Sequence, residues 1–176
     1  FGISVGGMIA QKCAINYPEM VDRQVLGCTM PNFFHLPPAT EDSERLQATQ
    51  LVPPTEAVDI MLRLFLSKKF FIESTELTAE LKEVMLTEKL EQGADAFLLQ
   101  LGAAMSHDTL EQVKNISAPT LVITGDLDPM APVENARFLA VQIPVSSLVE
   151  LPGVRHEFWV EKFEESSTIF TKFLSP

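Results

Sequence analysis

Gly2-Ile3-Ser4-Val5-Gly6 opens the chain and constrains it more than any other feature. G-x-S-x-G spells a sharp strand-to-helix turn that lifts a serine hydroxyl clear of the backbone as a nucleophile. Such a turn needs a strand leading into it, and only Phe1 precedes the first glycine. The expectation is a chain that enters a catalytic fold partway, with its N-terminal part missing.

The pattern beyond Ser4 supports a sheet flanked by helices. Val5 to Asn16 reads as a helix, although Gly6 and Gly7 would weaken it in isolation by about 1 kcal/mol each. Close packing on a sheet has to compensate. Tyr17-Pro18 ends that helix, and residues 24–29 read as a short buried strand. Pro37-Pro38 and Pro53-Pro54 then change the character of the chain. Thr55 is the expected N-cap of a helix carrying Val58, Met61, Leu62, Phe65 and Leu66 on one face. Thr78 opens a second, with Leu81, Val84, Met85 and Leu90. A third spans 94–105, with Phe97, Leu98, Leu101 and Met105 on one side. Three amphipathic helices without a strand between them predict a separate helical subdomain.

Strand–helix alternation returns at Thr120 to Thr124, a continuous apolar run of the kind buried on both faces of a parallel sheet. A helix over Val133 to Val141, a strand from Ser147 to Leu151, and a last helix carrying Phe163, Ile169, Phe170, Phe173 and Leu174 complete it. The fold class is therefore α/β, in three parts: a first core segment over 1–36, a helical insertion over 37–106 and a second core segment over 107–176.

Composition narrows the function. A chain of 176 residues suffices for one core, and 46% hydrophobic with 21% charged residues is ordinary for a globular protein. A net charge of −11 argues against nucleic acid and anionic membrane as partners. No apolar run approaches the ~18 residues of a membrane span. Cys13 and Cys28, in a helix and a strand, read as buried free thiols rather than a disulfide. The expected location is cytoplasmic.

A serine hydroxyl needs a base to take its proton, and an imidazole base needs an acid to fix its tautomer. Of His35, His107 and His156, only His156 lies in a loop after a predicted core strand. Asp128 follows the preceding core strand in the same way. Parallel sheets build sites at the carboxyl ends of their strands, so Ser4, Asp128 and His156 should converge on one edge. Asp126 and Asp128 form a D-x-D pair, yet nothing nearby supplies further ligands and no metal is expected. His107-Asp108 reads as a polar junction, since neighbours on a helix do not face each other. His35, beside Phe33-Phe34, is a candidate pocket residue or ordinary loop packing. The apolar Met61, Phe65, Phe97 and Met105 read as subdomain core, some of them lining a pocket.

Three segments carry a family resemblance: Gly2 to Gln11, Ala118 to Pro132 around Gly125-Asp126-Leu127-Asp128, and Leu151 to Glu161 around His156. In that order, and separated by a cap-sized insertion, they resemble an α/β-hydrolase-fold serine hydrolase of the cap-bearing esterase and enol-lactonase branch. The chain looks like the C-terminal two-thirds of such an enzyme. The resemblance implies Ser4 as nucleophile, Asp128 as orienting acid, His156 as general base and the Val5 N–H as one oxyanion-hole donor. It implies hydrolysis of a small-molecule carboxylic ester or lactone through an acyl-serine, with no cofactor. Arg155, Trp159, His35, Phe65, Phe97 and Met105 are the candidate substrate-pocket residues.

Two departures stand out. Relatives usually carry glycine before the histidine, where this chain has Arg155, either solvated or facing an anionic substrate group. The second oxyanion donor of this fold comes from a loop after an early strand, which this chain does not contain. Losing one such donor costs roughly 10²–10³ in rate, so impaired activity is expected. The alternatives are an inactive hydrolase-like domain that forms a homodimer through its exposed sheet edge, or a ligand-binding domain using the capped pocket.

Overall fold

The computed structural model of the protein describes residues 1–87 and 93–175. Four strands, β1 (Gly2–Ile3), β2 (Gln24–Gly27), β3 (Thr120–Gly125) and β4 (Ser146–Leu151), form one sheet in the order β1-β2-β3-β4. Every pairing is parallel: Ile3 stands opposite Gly27, Val25 opposite Leu121, and Ile123 opposite Val149. Both inner strands are buried along their whole length. That is why their sequences are continuous apolar runs rather than alternating ones.

Successive side chains of each strand serve opposite faces. Val25, Leu121 and Ile123 belong to one cluster with Phe158 and Leu151, against which Ile169, Phe170 and Phe173 of α9 (Phe163–Leu174) pack. Leu26 and Val122 belong to the other, with Ala14 of α1 (Val5–Asn16) and Ala136, Leu139 and Ile143 on and beside α7 (Val133–Gln142). One residue of register therefore separates the two cores.

Between β2 and β3 the described residues form five α-helices: α2 (Thr40–Ala48), α3 (Pro54–Phe65), α4 (Lys68–Glu73), α5 (Thr75–Thr87) and α6 (Ala94–Ser106). Val58, Leu62, Leu66 and Phe70 form a third cluster, joined by Leu81 and by Val160 of the short helix α8 (Phe158–Glu161). This layer has more elements than three amphipathic stripes predict. No residue of α2 is buried, so it leaves no apolar period to read. Serine does the capping at α4, where the Ser67 hydroxyl accepts from Phe70 N at 3.2 Å.

Several boundaries differ from expectation. The N-cap of α3 is Pro53 rather than Thr55. Pro54 at the first helical position, with φ preset and no N–H to satisfy, sets the start. Likewise α5 begins at Thr75, and Thr78 lies inside it with its hydroxyl on Ser74 O at 2.8 Å. Leu90 lies outside the described residues. Cys13 is exposed, not buried, whereas Cys28 is buried. On α6, Leu98 and Met105 face outward, and Ala104 is a buried apolar residue there. Among the described residues, no helix is long and apolar enough to cross a membrane.

Candidate active site

All four strands point their carboxyl ends to the same rim, and the reactive side chains sit just beyond those ends. Ser4 follows β1 directly, tied by its N–H to Gly27 O at 2.9 Å. Its backbone has φ 54° and ψ −122°, a conformation that costs a non-glycine residue about 1–3 kcal/mol. Its neighbours hold it there. Ser4 O accepts from Gly7 N at 2.9 Å, Met8 N at 3.2 Å and the Thr29 hydroxyl at 2.7 Å. The turn is so tight that a Cβ on Gly2 would lie 2.2 Å from Gly6 O. Glycine is therefore required at that first motif position.

Val5 is the first residue of α1, so its N–H has no partner within the helix. Among the described residues it has none elsewhere. A free amide beside a serine, at the positive end of a helix dipole, suits a developing oxyanion.

Asp128 lies in the turn after β3, and its Oδ1 accepts from Met130 N at 2.8 Å and Ala131 N at 3.0 Å. His156 Nδ1 stands 2.8 Å from Asp128 Oδ2 and 3.0 Å from Oδ1, both side chains almost fully buried. Asp126, the other acid of the D-x-D pair, instead accepts from Gly153 N at 2.7 Å and so holds the histidine loop. The loop presses close to β3: a Cβ on Gly125 would lie 2.3 Å from Val154 O.

Cys28 is a neighbour of this pair that sequence reasoning did not assign to the site. It directly follows β2 at φ 36°, and its sulfur, a His156 ring nitrogen and an Asp128 oxygen all lie within 4.8 Å of one another. These three are the residues whose donor types could hold a soft cation, but both Asp128 oxygens already serve His156 and the turn. Its one sequence signal is position, directly after β2 at the carboxyl end of a parallel strand, which does not reveal what the thiol faces.

Desolvation works against the imidazolium of His156, and the Asp128 carboxylate, charged and hydrogen-bonded to Nδ1, outweighs that effect, with the Cys28 sulfur as a further hydrogen-bond partner. The His156 pKa therefore lies well above the ordinary 6.5. Burial pushes the Cys28 thiol up from 9.0, so at neutral pH it is protonated and the charge holding the imidazolium is that of Asp128. Burial also raises the Glu157 carboxyl to about 7, partly offset by His156.

The Ser4 hydroxyl makes no hydrogen bond among the described residues. Ser4, Val5 and Gly6 line a cleft of about 340 Å³ together with Leu46 of α2 and Phe97, Leu101 and Ala104 of α6. Phe65 lies with its ring centroid 5.3 Å from that of His156. The remaining pocket candidates sit elsewhere. His35 packs on Phe138 at 4.9 Å, Trp159 on Phe158 at 5.2 Å, and Met105 is exposed. The Arg155 guanidinium donates to Arg63 O at 2.7 Å, at the end of α3.

Residues 1–163 match the family described as Serine aminopeptidase, S33. Among curated relatives, a poly(3-hydroxyalkanoate) depolymerase of Ectopseudomonas oleovorans is 28% identical, the match covering 98% of this chain and 59% of that protein. A 3-oxoadipate enol-lactonase of Acinetobacter baylyi is also 28% identical, over 92% of this chain and 57% of the relative. The chain thus spans under two-thirds of the length of these relatives. Among solved structures, the enol-lactonase from Burkholderia xenovorans superposes with a TM-score of 0.82 at 19% identity, covering 99% of this chain and 64% of that one. At that identity the likeness concerns the fold.

Proposed function

Since the chain belongs to the serine aminopeptidase (S33) family of α/β-hydrolases, we propose that it carries the nucleophile, base and acid of a serine hydrolase that cleaves small carboxylic esters or lactones. The observation that supports this best is the buried Asp128–His156 pair, on the same strand-end rim as a serine held in a strained turn.

Ser4 Oγ attacks the ester carbonyl carbon while His156 takes its proton. The carbonyl oxygen becomes an alkoxide, to which Val5 N–H donates. The C–O bond to the leaving group then breaks, and His156 returns the proton to the departing alkoxide. Water, deprotonated by the same imidazole, hydrolyses the acyl-serine and regenerates the hydroxyl. Asp128 fixes the tautomer throughout: with Nδ1–H directed at the carboxylate, the other ring nitrogen is the one free to act as base. Hydrogen bonds between nucleophile and base commonly tighten only when substrate binds, in keeping with an unengaged Ser4 hydroxyl. In this reading the helices over 37–106 act as a cap, with Leu46, Phe97 and Leu101 forming its acyl-facing wall.

A fluorophosphonate probe tests it. The folded chain should gain one covalent adduct, localised to Ser4 by mass spectrometry and lost in Ser4→Ala. Absence of an adduct on folded protein would overturn the reading.

A second reading rests on a different observation. Phe1, Ile9, Met20 and Leu174 are exposed large apolar residues that line one cleft of about 480 Å³ beside the β1 edge. Such a surface supports a self-associating domain whose site does not turn over. Sedimentation velocity separates the two, since an inactive dimer favours this second reading.

A further inference from the structure

Glu161 makes no contact with the reacting groups, yet its carboxylate bridges the two chain segments that frame His156. Oε1 accepts from Arg155 N at 2.9 Å and from Ser67 N at 3.0 Å, while Oε2 accepts from the Ser67 hydroxyl. Arg155 immediately precedes His156. Ser67 is the buried elbow between α3 and α4. Three more bonds run between the same segments. Glu157 N donates to Phe65 O at 3.0 Å, and Arg155 Nη1 donates to Arg63 O at 2.7 Å and Leu64 O at 3.3 Å. Those carbonyls belong to the last turn of α3, where a cation is favourably placed.

The grip of Asp128 on Nδ1 orients the ring, and Asp126 and Leu127 N hold the start of the loop at Gly153 and Val154, but none of these bonds anchors the backbone at Arg155 and Glu157, the residues flanking His156. The ties to residues 63–67 supply that anchor on both sides of His156. They also set Phe65 beside the imidazole. The bulky residue before the histidine, where glycine suffices for the loop itself, here becomes a second strut to the helical layer.

We propose that Glu161 is a positioning residue for His156, locking the histidine loop to the α3–α4 elbow, with Arg155 as its auxiliary tie. The inference rests on the reading of His156 as the base. It makes the pose of that base depend on the helical layer as well as on the sheet.

The test uses the full chain with two readouts: the imidazole nitrogen and low-field proton NMR signals of His156, which need no turnover, and the rate of fluorophosphonate labelling at Ser4. Glu161→Ala should displace the His156 signals and slow labelling roughly 10²-fold, the cost typical of a misplaced catalytic group. Glu161→Gln keeps Oε1 for both backbone N–H groups and should restore both readouts. A folded Glu161→Ala variant with unshifted His156 signals overturns the proposal, as does a lowered melting temperature unaccompanied by any shift. If that variant does not fold, Arg155→Ala carries the same test with a smaller expected displacement, and unshifted signals there overturn it. If the wild-type chain fails to label, the hydrolase reading falls, while the NMR shift still decides the positioning role.

Discussion

Cys28, directly after β2, and His156, in the loop between β4 and α8, face one another, with thiol, imidazole and the Asp128 carboxylate within 4.8 Å. A thiol beside an imidazole is the arrangement of a cysteine nucleophile, but burial keeps this thiol protonated. Cys13, by contrast, is exposed. Reactivity follows thiolate character and access. Iodoacetamide at pH 8 should therefore add one group to the folded chain, on Cys13, and reach Cys28 only in denaturant. Alkylation of Cys28 first in folded protein would contradict this.

The raised pKa of His156 has a kinetic signature. The base must be neutral to accept the serine proton, so the labelling rate of Ser4 should climb with pH along a limb lying above 6.5. Asp128→Asn removes the charge that stabilises the imidazolium. The limb should move to lower pH and the maximal rate fall by roughly 10⁴, because the amide also selects the wrong tautomer. A pH–rate profile of both forms checks the direction.

Stability should depend on pH through His107, the residue that ends α6. Burial lowers its pKa from 6.5 to about 4, helped by Lys12 and opposed by Asp108. The unfolded imidazole takes up its proton before the folded one does. The stabilisation is then full above pH 6.5 and drains away as pH falls toward 4. Urea midpoints for wild type and His107→Gln should converge over that window.

Strain at Ser4 should be measurable as stability. Ser4→Ala keeps a Cβ at φ 54°, whereas Ser4→Gly adopts that conformation freely. The glycine variant should be the more stable of the two by about 1 kcal/mol, and neither should label. Paired thermal melts provide the comparison.

The legible parts of this chain are those where local chemistry and tertiary role coincide. Val5 to Asn16 is helical as read, because a motif that requires a helix sits at its head. β3 is visible because a strand buried on both faces has no polar alternation to dilute it. Asp128 was separable from Asp126 by family pattern alone, and the structure adds the physical distinction: one carboxylate meets His156, the other holds Gly153 N.

What escaped reading depends on partners remote in sequence. Nothing local marks Cys28 as facing an imidazole, since its neighbours come from two other loops. Glu161 looks like a solvated helix residue until the elbow at Ser67 is brought against it. Arg155 was readable as a departure, but its acceptors are carbonyls at the end of α3, and periodicity predicts which face of that helix packs, not which loop its end meets. The exposed α2 escaped because burial, the signal behind helical period, is absent there.

The bonds from residues 63–67 to residues 155–161 join stretches about ninety positions apart. Gene shuffling among relatives would be sensitive to this. A crossover between them would mate one parent's elbow with another's histidine loop, and such chimeras should fold yet work poorly. Libraries that inherit both stretches from a single parent should keep a far larger active fraction.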